Sequence, residues 1–184
     1  MPPPEFDAEK FRELALYIVA KCVDDPTFGA TKLAKILCWS DFLMYGYHGR
    51  AITGATYLRY PFGPYPEQLP QAEDELIGSG DAEPYEAPYF TRVQRRLRAK
   101  RRANLSIFGG EEIALVDEVI QALSGLNASE VSELSHQQLV GWQLATPFEE
   151  IPYPTVTLSS DPPSARDISW ARQVASEQGF AESA

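Results

Sequence analysis

His48 and His136 are the two histidines of this 184-residue chain, and neither comes with an obvious catalytic set. His136 follows Ser135, and a hydroxyl beside an imidazole is the raw material of nucleophilic catalysis. Neighbours in sequence rarely aim at each other. The competing reading is a histidine that sits between helices, bonds a backbone group and fixes their junction. His48, in "GYHGR", reads either as a base or partner contact or as a solvent-facing turn residue. Cys22 and Cys38 lie among apolar residues at a spacing that fits neither a zinc nor a disulfide framework, so they read as core. Glu73, Asp74 and Glu75 form one acidic run, Glu111 and Glu112 another, and both read as solvated helix faces. Neither G-x-x-x-x-G-K nor H-E-x-x-H occurs. No metal site, cofactor or catalytic residue is expected, and an enzyme is disfavoured.

Two other stretches have the chemistry of contact. "ITGATYLRYPFGPYP", residues 52–66, packs three prolines, two glycines and four aromatic rings together. Prolines lower the entropy lost in presenting Tyr57, Tyr60, Phe62 and Tyr65 on a rigid turn, and rigid aromatics anchor protein interfaces. Alternatively the turn plugs the core, Gly63-Pro64 is a backbone necessity, and Tyr65 alone is free to touch a partner. Residues 92–102 hold seven of the sixteen basic side chains and no acid. Arg92, Arg96, Arg98, Lys100 and Arg102 share one parity, while Val93, Leu97 and Ala99 share the other. A strand would therefore carry a basic and an apolar face. The basic face admits three roles: pairing with the chain's own acids, contact with an acidic partner, or tracking of nucleic-acid phosphates. The net charge of −10 weighs against the last.

These residues need elements to hold them. Phe11, Leu14, Ala15, Ile18 and Cys22 recur at helical spacing and predict a helix over 6–23. A second, largely buried helix begins with Thr31 as cap, carries Leu33, Ile36, Leu37, Ser40 and Met44, and ends at Gly46 or Gly49. A short strand fits residues 53–60, after which "PFGPYP" halts regular structure. A third helix follows over 67–78 with Pro70 in its first turn, then a loop, "GSGDAEPYEAP". Residues 91–107 read as a strand or hairpin. "FGGEE" opens a helix with Ile113, Val116, Val119, Ile120 and Leu123 inward. Asn127 and Glu130 form a capping box for a helix over 128–134, and another covers 136–144. A weakly apolar last helix spans 164–178.

The length suggests one domain, and the apolar share of 44% is ordinary for a globular protein. No apolar run approaches the roughly 20 residues that span a bilayer, and the acidic, proline-rich start lacks the form of a signal peptide. The expected location is the cytoplasm. The expected fold is α+β, mostly helical, one compact domain with a small antiparallel hairpin or sheet.

In order along the chain, "TKLAKILCWSDF", "GRAITGATYLRYPFGPYPEQL", "SIFGGEEIALVDEVIQAL", "NASEVSELSHQQLVGW" and "IPYPTV" resemble the Panacea domain, the SocA-like antitoxin domain of toxin–antitoxin pairs. The resemblance rests on Lys32 and Leu33, Gly49 to Tyr57, Gly63 and Pro64, Phe108 with Glu111 and Glu112, and Leu134 to His136 with Trp142. It covers residues 8–157, leaving 1–7 as a proline-rich tail and 158–184 as an extension. It implies a non-enzymatic antitoxin that neutralises a cognate toxin by direct binding, with Gly63, Pro64, His136 and Trp142 as structural motif residues. Two alternatives stand beside it: a DNA-binding regulator that uses the arginine-rich strand, and a protease adaptor that delivers the toxin for degradation. No membrane partner is expected, and homo- or hetero-oligomers are both open.

Overall fold

The first apolar stripe folds as helix α1, Ala8–Lys21. The Asp7 carboxylate accepts the Lys10 amide at 2.9 Å and satisfies one of the donors a helix start leaves open. In this computed structural model, residues 4–89, 92–159, 161 and 164–177 are described, without the side chains of Tyr89, Arg92 and residues 175–177. Helix α2, Ala30–His48, begins before Thr31, with Gly29 rather than a side chain at its cap. It ends at Gly49, whose φ of 69° suits glycine. Every residue from Lys32 to Phe42 is buried.

The proline-rich stretch does not halt regular structure. Strands β1, Tyr57–Tyr60, and β2, Gly63–Pro66, pair antiparallel, with Tyr57 opposite Pro66 and Arg59 opposite Pro64. The backbone groups of Tyr57 and Arg59 point away from β2. The Arg59 amide donates to Glu149, and the Phe148 and Ile151 amides donate to Arg59 and Tyr57. Pro64 and Pro66 thus sit where the ladder asks for no donor.

Helix α3, Leu69–Gly78, carries Pro70 in its first turn, as the sequence predicts. Strands β3, Ala82–Tyr89, and β4, Arg92–Ala99, then form a hairpin in which Pro84 lies opposite Leu97 and Pro88 opposite Val93. The sequence reading places a loop at β3 because of its prolines. A two-stranded ribbon has two open edges, and same-parity prolines can turn one edge outward. β4 also ends earlier than expected, and Leu105–Ile107 is a 3-10 turn.

Helix α4, Gly110–Leu123, buries Leu115, Val116, Val119 and Leu123, and half-buries Ile113 and Ile120. Asn127 and Glu130 form the expected capping box of helix α5, Ala128–Gln138. It runs a full turn beyond the predicted end and leaves only Val140–Leu144 for α6. A 3-10 turn at Tyr153–Thr157 packs on α2. The last helix, α7, spans Ala165–Glu177 and leaves Ile168 and Trp170 exposed.

The fold is α+β and mainly helical, with two small antiparallel sheets. Its core surrounds α2: Phe11, Leu14 and Ile18 from α1, Leu33, Ile36, Leu37 and Phe42 from α2, Val116 and Val119 from α4, and Val131 from α5. Full burial of each such side chain is worth about 1.5–3 kcal/mol. Among the described residues no helix is long and apolar enough to cross a membrane.

Candidate functional site

Three polar residues of buried α2 hold the outer elements. Asp41 accepts the Thr53 amide at 2.7 Å and the Tyr57 hydroxyl at 2.8 Å, together with the Thr53 hydroxyl. Burial pushes its carboxyl above the usual range even though these donors oppose the shift. Lys32 donates to Asp25, Thr27 and the Leu126 carbonyl, which ties α2 to the loop ahead of it and to the start of α5. Lys35 donates to the Pro64 carbonyl at 2.9 Å, and burial lowers its pKa to about 8. Sequence reasoning passes over Asp41 and Lys35. Their signal was a lone acid and a second lysine inside an otherwise apolar helical run.

The β1–β2 hairpin is therefore held along its length, from Tyr57 to Pro64, and its turn exposes Pro61 and Phe62. Tyr57 is fully buried, so it belongs to the core and cannot serve as an exposed anchor. Tyr60 is 39% exposed and Phe62 74% exposed. Tyr65 is half-buried, with its ring 5.5 Å from that of Tyr60. The plug reading thus holds for Tyr57, while Phe62 rather than Tyr65 stands furthest into solvent.

Against the hairpin lies the α5–α6 corner. His136 is not between helices; it occupies the last turn of α5. Its ring stacks on Trp142 at 3.9 Å, and Trp142 Nε1 donates to the Tyr60 carbonyl at 3.0 Å. Arg59 also lies over the Trp142 ring, 4.7 Å from its centre. The Ser135 hydroxyl donates to the Ser132 carbonyl at 2.7 Å and is buried, so no Ser–His pair forms. Burial holds the His136 imidazole below its usual pKa, and the Lys35 and Arg59 charges act in the same direction. His48 is exposed at the end of α2. Leu144, which the sequence reading gives to the apolar side of the helix over 136–144, is 70% exposed beside this corner, and Phe148, which that reading does not single out, is 61% exposed.

The basic strip is largely engaged at home. Arg96 is buried, and its guanidinium donates to the Asp25 and Pro26 carbonyls of the loop before α2. Arg98 lies over Tyr85 at 4.6 Å and 3.6 Å from Glu83. Lys100 pairs with Glu83 at 3.1 Å. Arg102 is exposed, and the side chain of Arg92 lies outside the described residues. The expected clean division of faces fails, since Val93 points to solvent and Arg96 inward. Loop carbonyls need donors, and a long guanidinium reaches them from the strand.

Of the acidic runs, Glu75 is a surface partner of Arg12 at 2.6 Å, but Glu112 is not on a solvated face. It is buried, accepts Lys10 at 3.0 Å, Arg50 at 2.6 Å and the Gly109 amide at 2.9 Å, and so joins α1 and the segment just after α2 to the start of α4. Burial opposes its ionisation, but these donors outweigh burial and hold its pKa low. Cys22 and Cys38 are buried, free core thiols. Among the described residues no group of three or more histidines, cysteines and carboxylates is placed to hold a metal ion.

Residues 33–143 match the family model described as "Antitoxin SocA-like, Panacea domain". No curated protein and no solved structure matches the chain.

Proposed function

Because the chain belongs to the SocA-like antitoxin family with a Panacea domain, we propose that it neutralises a cognate toxin by gripping it directly, with no bond made or broken by its own side chains. In this reading the two proteins meet in the cytoplasm. The observation that carries the reading is the hairpin tip. Phe62 stands in solvent and Tyr60 is partly exposed on a hairpin anchored by Asp41, Lys35 and Trp142. Exposed aromatics on a rigid support lose little entropy on binding and supply large contact area. Tyr65 contributes an edge, and Tyr57, Gly63, Pro64, His136 and Trp142 hold the turn in place. Arg98 sits on the other hairpin, and Lys100 and Arg102 follow it; Glu83 already engages Arg98 and Lys100.

The experiment is co-expression with the product of the adjacent open reading frame. That product alone should arrest growth, this chain should restore it, and the two should copurify. A product that is harmless by itself, or that passes through without binding, overturns the reading.

A further inference from the structure

Among the described residues, Phe148 is the one non-glycine residue with positive φ, at 69°. A side chain in the left-handed region costs about 1–2 kcal/mol. Strain of this kind persists where surrounding structure over-determines it. Here the Phe148 amide donates to the Arg59 carbonyl at 2.8 Å, and the Arg59 amide returns to Glu149 at 2.9 Å. The strain is not offset by full burial, because the residue is 61% exposed; its ring stands edge-to-face with Tyr60, centre to centre 5.3 Å. With Phe62, Tyr60 and Leu144 it belongs to a set of exposed apolar groups around the hairpin and the α5–α6 corner. Such a surface on a small protein marks an interaction site.

The charge beside it is one-sided. Glu149 and Glu150 follow Phe148 and are exposed, and Glu133 stands on α5 beside His136, its side chain 65% exposed. None of the three pairs with a lysine or arginine among the described residues. Of the cations at this corner, Arg59 is half-buried over Trp142, and Lys35 is buried beneath the hairpin against the Pro64 carbonyl.

We propose that this face docks a cationic face of the toxin, in which lysines or arginines ring an apolar pocket that receives Phe62 and Phe148. The proposal rests on the antitoxin reading above and adds the partner's chemistry to it. Carboxylates at the rim steer a basic partner and reject an acidic one, while the aromatics carry the affinity.

The test titrates the full chain with the purified product of the adjacent open reading frame, at low and high salt. Wild-type binding should weaken about tenfold as salt rises, because rim charges are screened. The Glu149→Lys/Glu150→Lys variant should bind about tenfold more weakly at low salt and lose most of that dependence. Phe62→Ala and Phe148→Gly should each weaken binding by about thirtyfold. Phe148→Gly should do so with an unchanged or higher melting temperature, because glycine tolerates the backbone angle. A structural role alone would not separate the two readouts. If these variants bind like wild type, the proposed face is wrong and the antitoxin reading survives. Tighter binding by the Glu→Lys variant, or loss of binding in Arg98→Glu/Arg102→Glu instead, also overturns the proposal by assigning the docking to an acidic partner. If wild type itself does not bind, both readings fall.

Discussion

Gly63→Ala places a methyl group in a closed seam between the β1–β2 hairpin and helices α2 and α5. Gly63 has φ of 93°. A Cβ there would lie 2.7 Å from Lys35 Cε and 3.0 Å from its Nζ, and closer still to Ser135 Oγ. Two terms follow. The left-handed backbone costs an L-residue about 1–2 kcal/mol. Lys35 must also move from the Pro64 carbonyl in a dry site, and a buried hydrogen bond to a charged group is worth about 1.5–3 kcal/mol. Together they predict a loss of about 2.5–5 kcal/mol, a large share of the ~5–15 kcal/mol that holds a domain folded. Gly49→Ala is the matched control. It has φ of 69° with nothing within 4 Å of the added Cβ, so only the backbone term applies. Urea denaturation of both variants should separate them by about 1.5–3 kcal/mol. Ser135→Ala in the Gly63→Ala background should recover part of the loss, since the nearest atom is removed. If Gly63→Ala falls within about 0.5 kcal/mol of Gly49→Ala, the seam is not closed as described and the reasoning fails.

Two further outcomes follow from buried charge. Lys35 has a folded pKa of about 8 against an ordinary 10.5, so above pH 8 the folded chain sheds a proton that the unfolded chain keeps. Its contribution to stability therefore rises with pH over that window. Relative to Lys35→Met, wild type should gain about 1 kcal/mol between roughly pH 7 and pH 9, read from urea midpoints, and a gap independent of pH would contradict the burial. Arg96→Ala should lower stability by about 2–3 kcal/mol, because two loop carbonyls lose a charged donor. Arg98→Ala, at an exposed position beside Glu83, should change stability by under about 1 kcal/mol when both variants are compared by urea denaturation. Equal effects would show that the strand's basic residues are not divided as the structure divides them.

Much of the helical scaffold was legible in the sequence because its causes are local. The apolar stripes of α1 and α4, the Asn127–Glu130 capping box and Pro70 in the first turn of α3 each follow from spacing and backbone chemistry within a few residues. The order of short motifs along the chain carried the family. Pairing was not legible. Proline marks β2 and β3 as irregular when read alone, and only a partner strand shows that its missing donor faces an edge. Nor could spacing say that Arg96 turns inward to loop carbonyls seventy residues away in the chain, or that Glu112 meets Lys10 and Arg50. The candidate surface divides the same way. Tyr60 and Phe62 were legible as rigid aromatics, but Phe148 sits beside them only because its backbone pairs with Arg59. Local sequence determines which conformations each segment prefers. Which side chains share a surface is set by packing between distant segments, and that was decided by the folded structure alone.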